Sequence, residues 1–195
     1  MKKLSLVLVL IFLFFTFFMS VNVYFKVANC KDNSGKVKTI KSRIETLQPK
    51  IDPLVSGIIA KSIFDNCDRY NLSENLVLHL IFRESSFNPM AVSSHGAKGL
   101  MQIMVGIHKK EIKELNDFNN YEIYHIDKNI RIGCIILKKY IRKSNDCLEK
   151  ALKRYVGGNN RGYLSDIFRL MAEWEWQMKI VFGEIKNDRK MGLEN

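Results

Sequence analysis

Twenty-two consecutive residues without a charge follow Lys2 and Lys3 and divide this chain before anything else in it is read: Leu4 to Phe25, LSLVLVLIFLFFTFFMSVNVYF, 22 residues. As a helix rising about 1.5 Å per residue, the run reaches across a hydrocarbon core of roughly 30 Å. A cleavable signal has a shorter apolar region, about 7–15 residues, and small residues at its cut site. A cut after Ser20 places Phe18 three positions before the break, and a cut after Ala28 places Lys26 there. Val27-Ala28-Asn29-Cys30 resembles a lipidation box, with bulky Asn29 where a small residue belongs. Residues 1–25 are therefore expected as an uncleaved signal anchor, with export after cleavage as the alternative. Either way the rest of the chain is expected to be exported, held on the extracytoplasmic face of the inner membrane where the anchor is kept.

The chain has 195 residues and a formal charge of +11. Residues 1–50 hold nine Lys and Arg against two acids, Asp32 and Glu45, a surplus of seven, which leaves four for the remainder. A nucleic-acid binder would carry its basic stripe on the folded domain, so no nucleic-acid partner is expected. Residues 26–50 are polar and Lys-rich with no sustained apolar period, and read as a basic tether. A hydrophobic content of 47% excludes a disordered chain, and four cysteines are too few for a disulfide-stapled miniprotein.

Residues 51–187 read as one helical domain, followed by a flexible tail, 188–195. Leu54, Ile58, Ile59, Ile63, Phe64 and Cys67 recur at helical spacing. Asn71 or Ser73 can cap a second helix whose inner stripe is Leu76, Val77, Leu80 and Ile81. Residues 86–99 form a long loop, and a short helix is expected over 100–105. Asp127 can cap a helix running to about Arg142, another runs from about Asp146 to Val156, and a last one covers roughly Tyr163 to Phe182. No strand run is visible, so the fold class is all-α.

One residue breaks the apolar pattern. At about 100° per residue, Glu84 projects between Val77 and Leu80, both inner-face residues. A carboxylate there loses hydration, and the helix C-terminus disfavours its negative charge. Both effects raise its pKa, which suits a general acid. A salt bridge to Arg83 is the bland alternative. The stretch that follows, ESSFNPMAVSSHGAKGLMQIM (84–104), supplies a helix stop at Asn88-Pro89, tight turns at Gly96 and Gly99, hydroxyls at Ser93 and Ser94, and an amide at Gln102 suited to sugar hydroxyl or acetamido groups.

These residues resemble the catalytic domain of the soluble lytic transglycosylases, goose-lysozyme-like glycosidases of bacterial cell walls. The first motif is similar to the family's E-S-x-x-N-P-x-x-x-S-x-x-G-A-x-G-L-M-Q-I-M almost throughout. DKNIRIG (127–133) resembles a second motif, D-x-x-x-N-I-x-x-G, with shorter spacing after Asp127. ALKRYVGG (151–158) resembles a third, A-L-x-x-Y-N-x-G, with Val156 in place of its asparagine. The resemblance covers about residues 54–170 and implies a compact lysozyme-like fold. It implies that Glu84 is the catalytic acid and base, that Ser93 contacts the acetamido group or orients the glutamate, that Gln102 and Met104 line the saccharide groove, and that Tyr155 lies near the glutamate.

The resemblance also implies a reaction. The β-1,4 bond between N-acetylmuramic acid and N-acetylglucosamine would be cleaved, leaving 1,6-anhydro ends, in wall remodelling or in local wall opening for an envelope machine. Ordinary glycosidases use two carboxylates. Glu111, Glu114, Asp117 and Asp127 are candidates for a second one, so a hydrolytic, lysozyme-like muramidase stays open. So does a catalytically weak peptidoglycan-binding subunit, to which Val156 gives some room. Expected partners are peptidoglycan glycan strands, the membrane through residues 4–25, and an envelope secretion or assembly machine. His108 and His125 lack metal-ligand spacing, and no metal or cofactor is expected. His79 points away from the inner stripe and is expected at the surface. Trp174 is expected in the core, and Trp176 exposed. Cys67, Cys134 and Cys147 read as core or near-core positions.

Overall fold

The computed structural model describes residues 33–113, 121–158 and 161–191. The expected membrane-spanning run over residues 4–25 lies outside them, as do Cys30, Glu114 and Asp117. Among the described residues no helix is long and apolar enough to cross a membrane. They form seven α-helices and one 3-10 turn, with two isolated β-bridges and no strand. The helices are α1 (33–47), α2 (Pro53–Tyr70), α3 (Glu74–Ser85), α4 (Lys109–Lys113), α5 (Ile126–Lys143), α6 (Leu148–Tyr155) and α7 (Arg161–Met191), with the 3-10 turn at Glu122–Tyr124. The chain divides into two compact units, Met1–Thr39 and Ile40–Asn195. Within the first, the described residues 33–39 are helical. The second unit holds Glu84 and all three motifs.

Helix ends follow local chemistry. Asp52 caps α2 by accepting from the amides of Leu54 and Val55, with Pro53 in the first turn, where its missing N–H costs nothing. Asn71 ends α2 in the left-handed conformation (φ 49°), and Ser73 starts α3 by accepting from the Leu76 amide at 3.3 Å. The two capping candidates thus serve different helices.

Helix α3 is buried on all sides over its middle turns. Leu76 through Ile81 are all buried, including His79 at 0% exposure. The expectation that His79 faces solvent is corrected: α7 and α1 cover the far side of α3. His79 Nδ1 donates to the Asn75 carbonyl at 2.8 Å, Arg43 Nε donates to His79 Nε2 at 3.3 Å, and the Trp174 ring stands edge-on at 5.7 Å. Burial lowers the His79 pKa to about 4, which keeps the acceptor nitrogen free for Arg43.

Arg43 also corrects the expected tether. Residues 33–47 are helical, and Ile40, Arg43 and Ile44 are buried. Ile40 and Ile44 are a single turn apart on one face, too few to register as a period, and Arg43 counts as solvated charge until its partners are known. It donates to Gln177 Oε1 at 3.3 Å and the Leu170 carbonyl at 3.5 Å as well as to His79.

The inner face of α2 is rotated from the expected one. Leu54 and Ile58 are exposed, at 73% and 44%, while Ser56, Ile59, Ala60, Ile63, Asn66 and Cys67 are buried. An apolar count misses this strip because it contains Ser56 and Asn66. Their polar atoms are satisfied by Glu45 Oε1 (2.8 Å) and Asp127 Oδ1 (2.9 Å). No helix forms over 100–105, where Gly99 and Gln102 take positive φ values and Lys98 pairs with Ile103 through two backbone bonds. At the C-terminus α7 continues to Met191, past the expected start of the tail.

Candidate active site

Glu84 is the penultimate residue of α3, one turn beyond the fully buried Leu80 and Ile81. Its carboxyl is half-buried, and Tyr163 at the start of α7 donates a hydrogen bond to Oε1 at 2.5 Å. Burial raises the Glu84 pKa above the ordinary carboxylate range, against the opposing pull of the Tyr163 bond and the Arg83 charge. Arg83 does not form the salt bridge considered above. It pairs with Asp166 at 3.2 Å and lies over the Tyr163 ring, 5.5 Å from its centroid.

The chain leaves α3 through two successive left-handed residues, Ser86 (φ 50°) and Phe87 (φ 62°). A left-handed backbone costs a non-glycine residue about 1–2 kcal/mol. Complete burial of Phe87 against Phe82, with ring centroids 5.7 Å apart, offsets that, since burying a Phe contributes roughly 1.5–3 kcal/mol. The turn that carries the chain away from Glu84 is therefore held by a core contact. Asn88 Oδ1 then accepts from the Met90 amide at 2.9 Å, closing the next turn.

All three motifs converge on residues 98–101. Asn129, fully buried in α5, accepts from the Met101 amide at 2.8 Å and donates to the carbonyls of Ile123 (2.7 Å) and Lys98 (3.1 Å). Gly99 sits at φ +77°, and a Cβ there would fall 2.2 Å from Asn129 Nδ2 and 2.9 Å from the Ile123 carbonyl, so only glycine fits. Gly133 makes room for Met101: a Cβ on it would meet the Met101 Sδ at 2.2 Å and Cβ at 2.8 Å. From the third motif, Tyr155 Oη donates to the Met101 carbonyl at 2.9 Å. Asn129, Gly133 and Tyr155 thus fix the loop that follows Glu84.

The residues expected to contact saccharide fall as follows. The Ser93 hydroxyl accepts from the Ala97 amide at 3.1 Å and makes no bond to Glu84. Gln102, at φ 48°, donates from Nε2 to the carbonyls of Gly99 (2.9 Å) and Ala91 (3.3 Å). Two carbonyl partners fix which end of the amide is nitrogen, and Oε1 takes no part in these two bonds. Met104 is half-exposed, and its carbonyl accepts from the amides of Ile107 and His108. Tyr155 is close enough to Glu84 for that charge to add to the effect of burial in raising its pKa, yet its hydroxyl is spent on Met101. The tyrosine that bonds the glutamate is Tyr163, which the sequence marks only as the start of the last helix.

Of the candidates for a second carboxylate, Glu111 is buried and ion-paired to Lys139, with His108 Nδ1 at 3.6 Å. Asp127 accepts from Asn66 on α2. Both are committed within the protein.

The chain belongs to the transglycosylase SLT domain family, whose pattern it matches over residues 61–163. Among its relatives, a transglycosylase of Enterobacteria phage PRD1 is 36% identical over 93 residues, 48% of this chain and 32% of that protein. The membrane-bound lytic murein transglycosylase E of Buchnera aphidicola is 32% identical over 108 residues, 50% of this chain and 49% of that one. The chain therefore matches half or less of the length of these relatives. The fold is also like that of an inactive variant of the lytic transglycosylase Slt from Pseudomonas aeruginosa, with a TM-score of 0.55 over 60% of this chain and 24% of that chain, at 18% identity.

Proposed function

We propose that the chain is a lytic transglycosylase of peptidoglycan, cleaving the β-1,4 bond between N-acetylmuramic acid and N-acetylglucosamine with Glu84 as its single acid and base. The observation that carries this reading is a carboxyl raised in pKa by burial and held by a neutral hydroxyl, without a cation of its own. Membership of the SLT family and relatives named as murein transglycosylases support it.

In the proposed reaction Glu84 first protonates the leaving oxygen. The substrate's N-acetyl group stabilises the oxocarbenium-like centre as the bond opens. Glu84 is then an anion, and the Tyr163 hydrogen bond strengthens on it at that moment. The anion removes the proton from the sugar's own C6 hydroxyl, whose oxygen closes onto C1 to give the 1,6-anhydro end. The proton that Glu84 gave is restored, and no water is consumed. Gln102 Oε1 and the Ser93 hydroxyl are placed in this reading to meet hydroxyl and acetamido groups of the glycan. Residues 4–25 are proposed as the inner-membrane anchor that keeps the domain at the wall, where local opening for an envelope machine is one use of it.

Replacing Glu84 by Gln keeps the shape and leaves Tyr163 an acceptor. With peptidoglycan as substrate, Glu84→Gln is expected to slow clearing about 10³-fold or more, since one group serves as both acid and base. A variant as active as the parent sinks the assignment. Mass spectrometry of the released fragments tests the product: an anhydro end is lighter by one water than the reducing end that hydrolysis leaves.

A further inference from the structure

The start of α7 brings two residues to the end of α3. Tyr163 Oη donates to Glu84 Oε1 at 2.5 Å, and Asp166 Oδ2 lies 3.2 Å from Nη2 of Arg83, the residue just before the glutamate. Tyr163 and Asp166 stand three positions apart, neighbours on one face of their helix. The Arg83 guanidinium closes the group, with its Cζ 5.5 Å from the centroid of the Tyr163 ring. Arg169 reaches Asp166 at 3.9 Å but bonds Glu173 at 2.7 Å, so Arg83 is the closer cation on Asp166. Among the described residues, the groups whose charge or hydrogen bonding bears on Glu84 are Arg83 from α3, Tyr163 from α7 and Tyr155 from α6. Asp166 lies beyond the residues 61–163 that the family pattern covers, and none of the three motifs contains it.

We propose that Asp166 is a positioning residue for the acid–base glutamate: it fixes the Arg83 guanidinium over the Tyr163 ring and withholds it from the Glu84 carboxyl. The consequence for catalysis rests on the function proposed above; the geometry does not. Arg83 and Asp166 are both more than a third exposed, and a pair so placed adds little to stability. Its effect falls on the neighbours instead. Without Asp166, the long Arg83 stem is free to turn its charge toward Glu84. An opposite charge within about 4–6 Å favours the ionised carboxyl and lowers its pKa by about 1–3. Glu84 would then meet the glycan without the proton it has to give. Held over the ring, the same cation is attracted to the aromatic face and helps the Tyr163 hydroxyl to donate, because its charge opposes the rise that burial imposes on the Tyr163 pKa.

The test compares the full-length parent in detergent with Asp166→Asn, Asp166→Glu, Arg83→Gln and the double variant Asp166→Asn/Arg83→Gln. Carbon NMR follows the Glu84 carboxyl through pH, its signal assigned by its loss in Glu84→Gln, and peptidoglycan clearing is measured over the same range. Asp166→Asn is expected to move the Glu84 midpoint down by about one pH unit, with the high-pH limb of clearing following it. Asp166→Glu, which can keep the pair, should stay within about 0.3 pH unit of the parent. Arg83→Gln alone should raise the midpoint by clearly less than Asp166→Asn lowers it, because the cation is already withheld. With Gln at 83, adding Asp166→Asn should move the midpoint by less than half as much as it does with Arg83 present. An unmoved midpoint in Asp166→Asn overturns the proposal, as does an equal downward shift in the absence of Arg83. A rise of about one pH unit in Arg83→Gln alone also overturns it, since the guanidinium would then already act fully on Glu84, and that reading does not depend on any Asp166 variant folding. Clearing lost as deeply as in Glu84→Gln, with Glu84 titrating as in the parent, would make Asp166 a second carboxylate and overturn it too. The NMR midpoint needs no substrate, so a parent that clears no peptidoglycan refutes the proposed function and leaves the positioning of Arg83 to be decided by the titration.

Discussion

Glu84 at the end of α3 and Glu111 on α4 are both withdrawn from solvent, but their acidities move in opposite directions. Burial pushes both carboxyls up. At Glu84 the opposing forces are a hydroxyl hydrogen bond and the charge of Arg83, and burial prevails. At Glu111 the Lys139 hydrogen bond and charge, with help from its own amide and His108, overcome burial and bring the pKa below the ordinary value. The magnitudes explain the split. A cation at about 4 Å acts with roughly 4 kcal/mol at an effective dielectric near 20, whereas a hydrogen bond to a charged group contributes about 1.5–3 kcal/mol. Removing a carboxylate from water costs several kcal/mol. A buried carboxyl is raised in pKa when its hydrogen-bond partner is neutral and lowered when that partner is a cation. Arg83 pairs with Asp166, and burial keeps the Glu84 pKa raised against what remains of the Arg83 charge.

After the Glu84→Gln variant described above, the largest effect is expected at Tyr163. Tyr163→Phe removes the bond that favours the ionised carboxyl, so the Glu84 pKa should rise further. The high-pH limb of the activity profile should move to still higher pH, and the rate at the optimum should fall about 10–100-fold through loss of one charge-assisted hydrogen bond. A rate loss with an unmoved limb would make Tyr163 a packing residue only.

Glu111→Gln probes the other half of the pair. Lys139 would lose its buried counter-ion, but its side chain is 37% exposed and can rehydrate. The expected cost is therefore about 1–2 kcal/mol rather than the larger penalty of a fully buried broken pair. Denaturant unfolding measures it. Activity should stay within about twofold of the parent, since a residue outside the acid–base chemistry leaves ΔG‡ unaltered. A loss of activity comparable to that of Glu84→Gln would instead make Glu111 the second carboxylate of a hydrolase.

Much of this site was legible in the sequence because it lies within one contiguous motif. The conflict between a carboxylate and the apolar stripe of Val77 and Leu80 marks Glu84 with no structure at hand. Tyr163 was not legible: it reaches Glu84 from the first turn of another helix, and nothing in its local pattern separates a tyrosine that bonds a carboxyl from one that stacks on a sugar. Asn129 carried a signal that periodicity could have used. It is a polar residue one turn before Gly133 on the inner side of α5, and such a residue inside an apolar face implies buried partners. The burial of His79 and Arg43 was hidden for the opposite reason. Their environment is made by α7, more than ninety positions beyond His79, and no local window contains it.

The smallest expected effect is on the dependence of stability on pH, where the two glutamates should leave slopes of opposite sign. Glu84 binds its proton more tightly folded than unfolded. Between the ordinary glutamate value of 4.5 and its raised folded value, the native state holds more protons, so stability falls as pH rises through that window. Glu111 is the reverse: its stabilisation is complete above 4.5 and is lost as pH falls through its lowered folded value. His79 adds a separate acid-side loss, because its pKa drops from 6.5 to about 4 on folding and protonation favours the unfolded chain over that span. Urea unfolding across pH should therefore show Glu84→Gln flattening the decline above 4.5 and Glu111→Gln flattening part of the decline below it, with the His79 loss present in both. Should Glu84→Gln leave the upper limb unchanged, the carboxyl would titrate alike in folded and unfolded chains, and the contrast between the two glutamates would disappear.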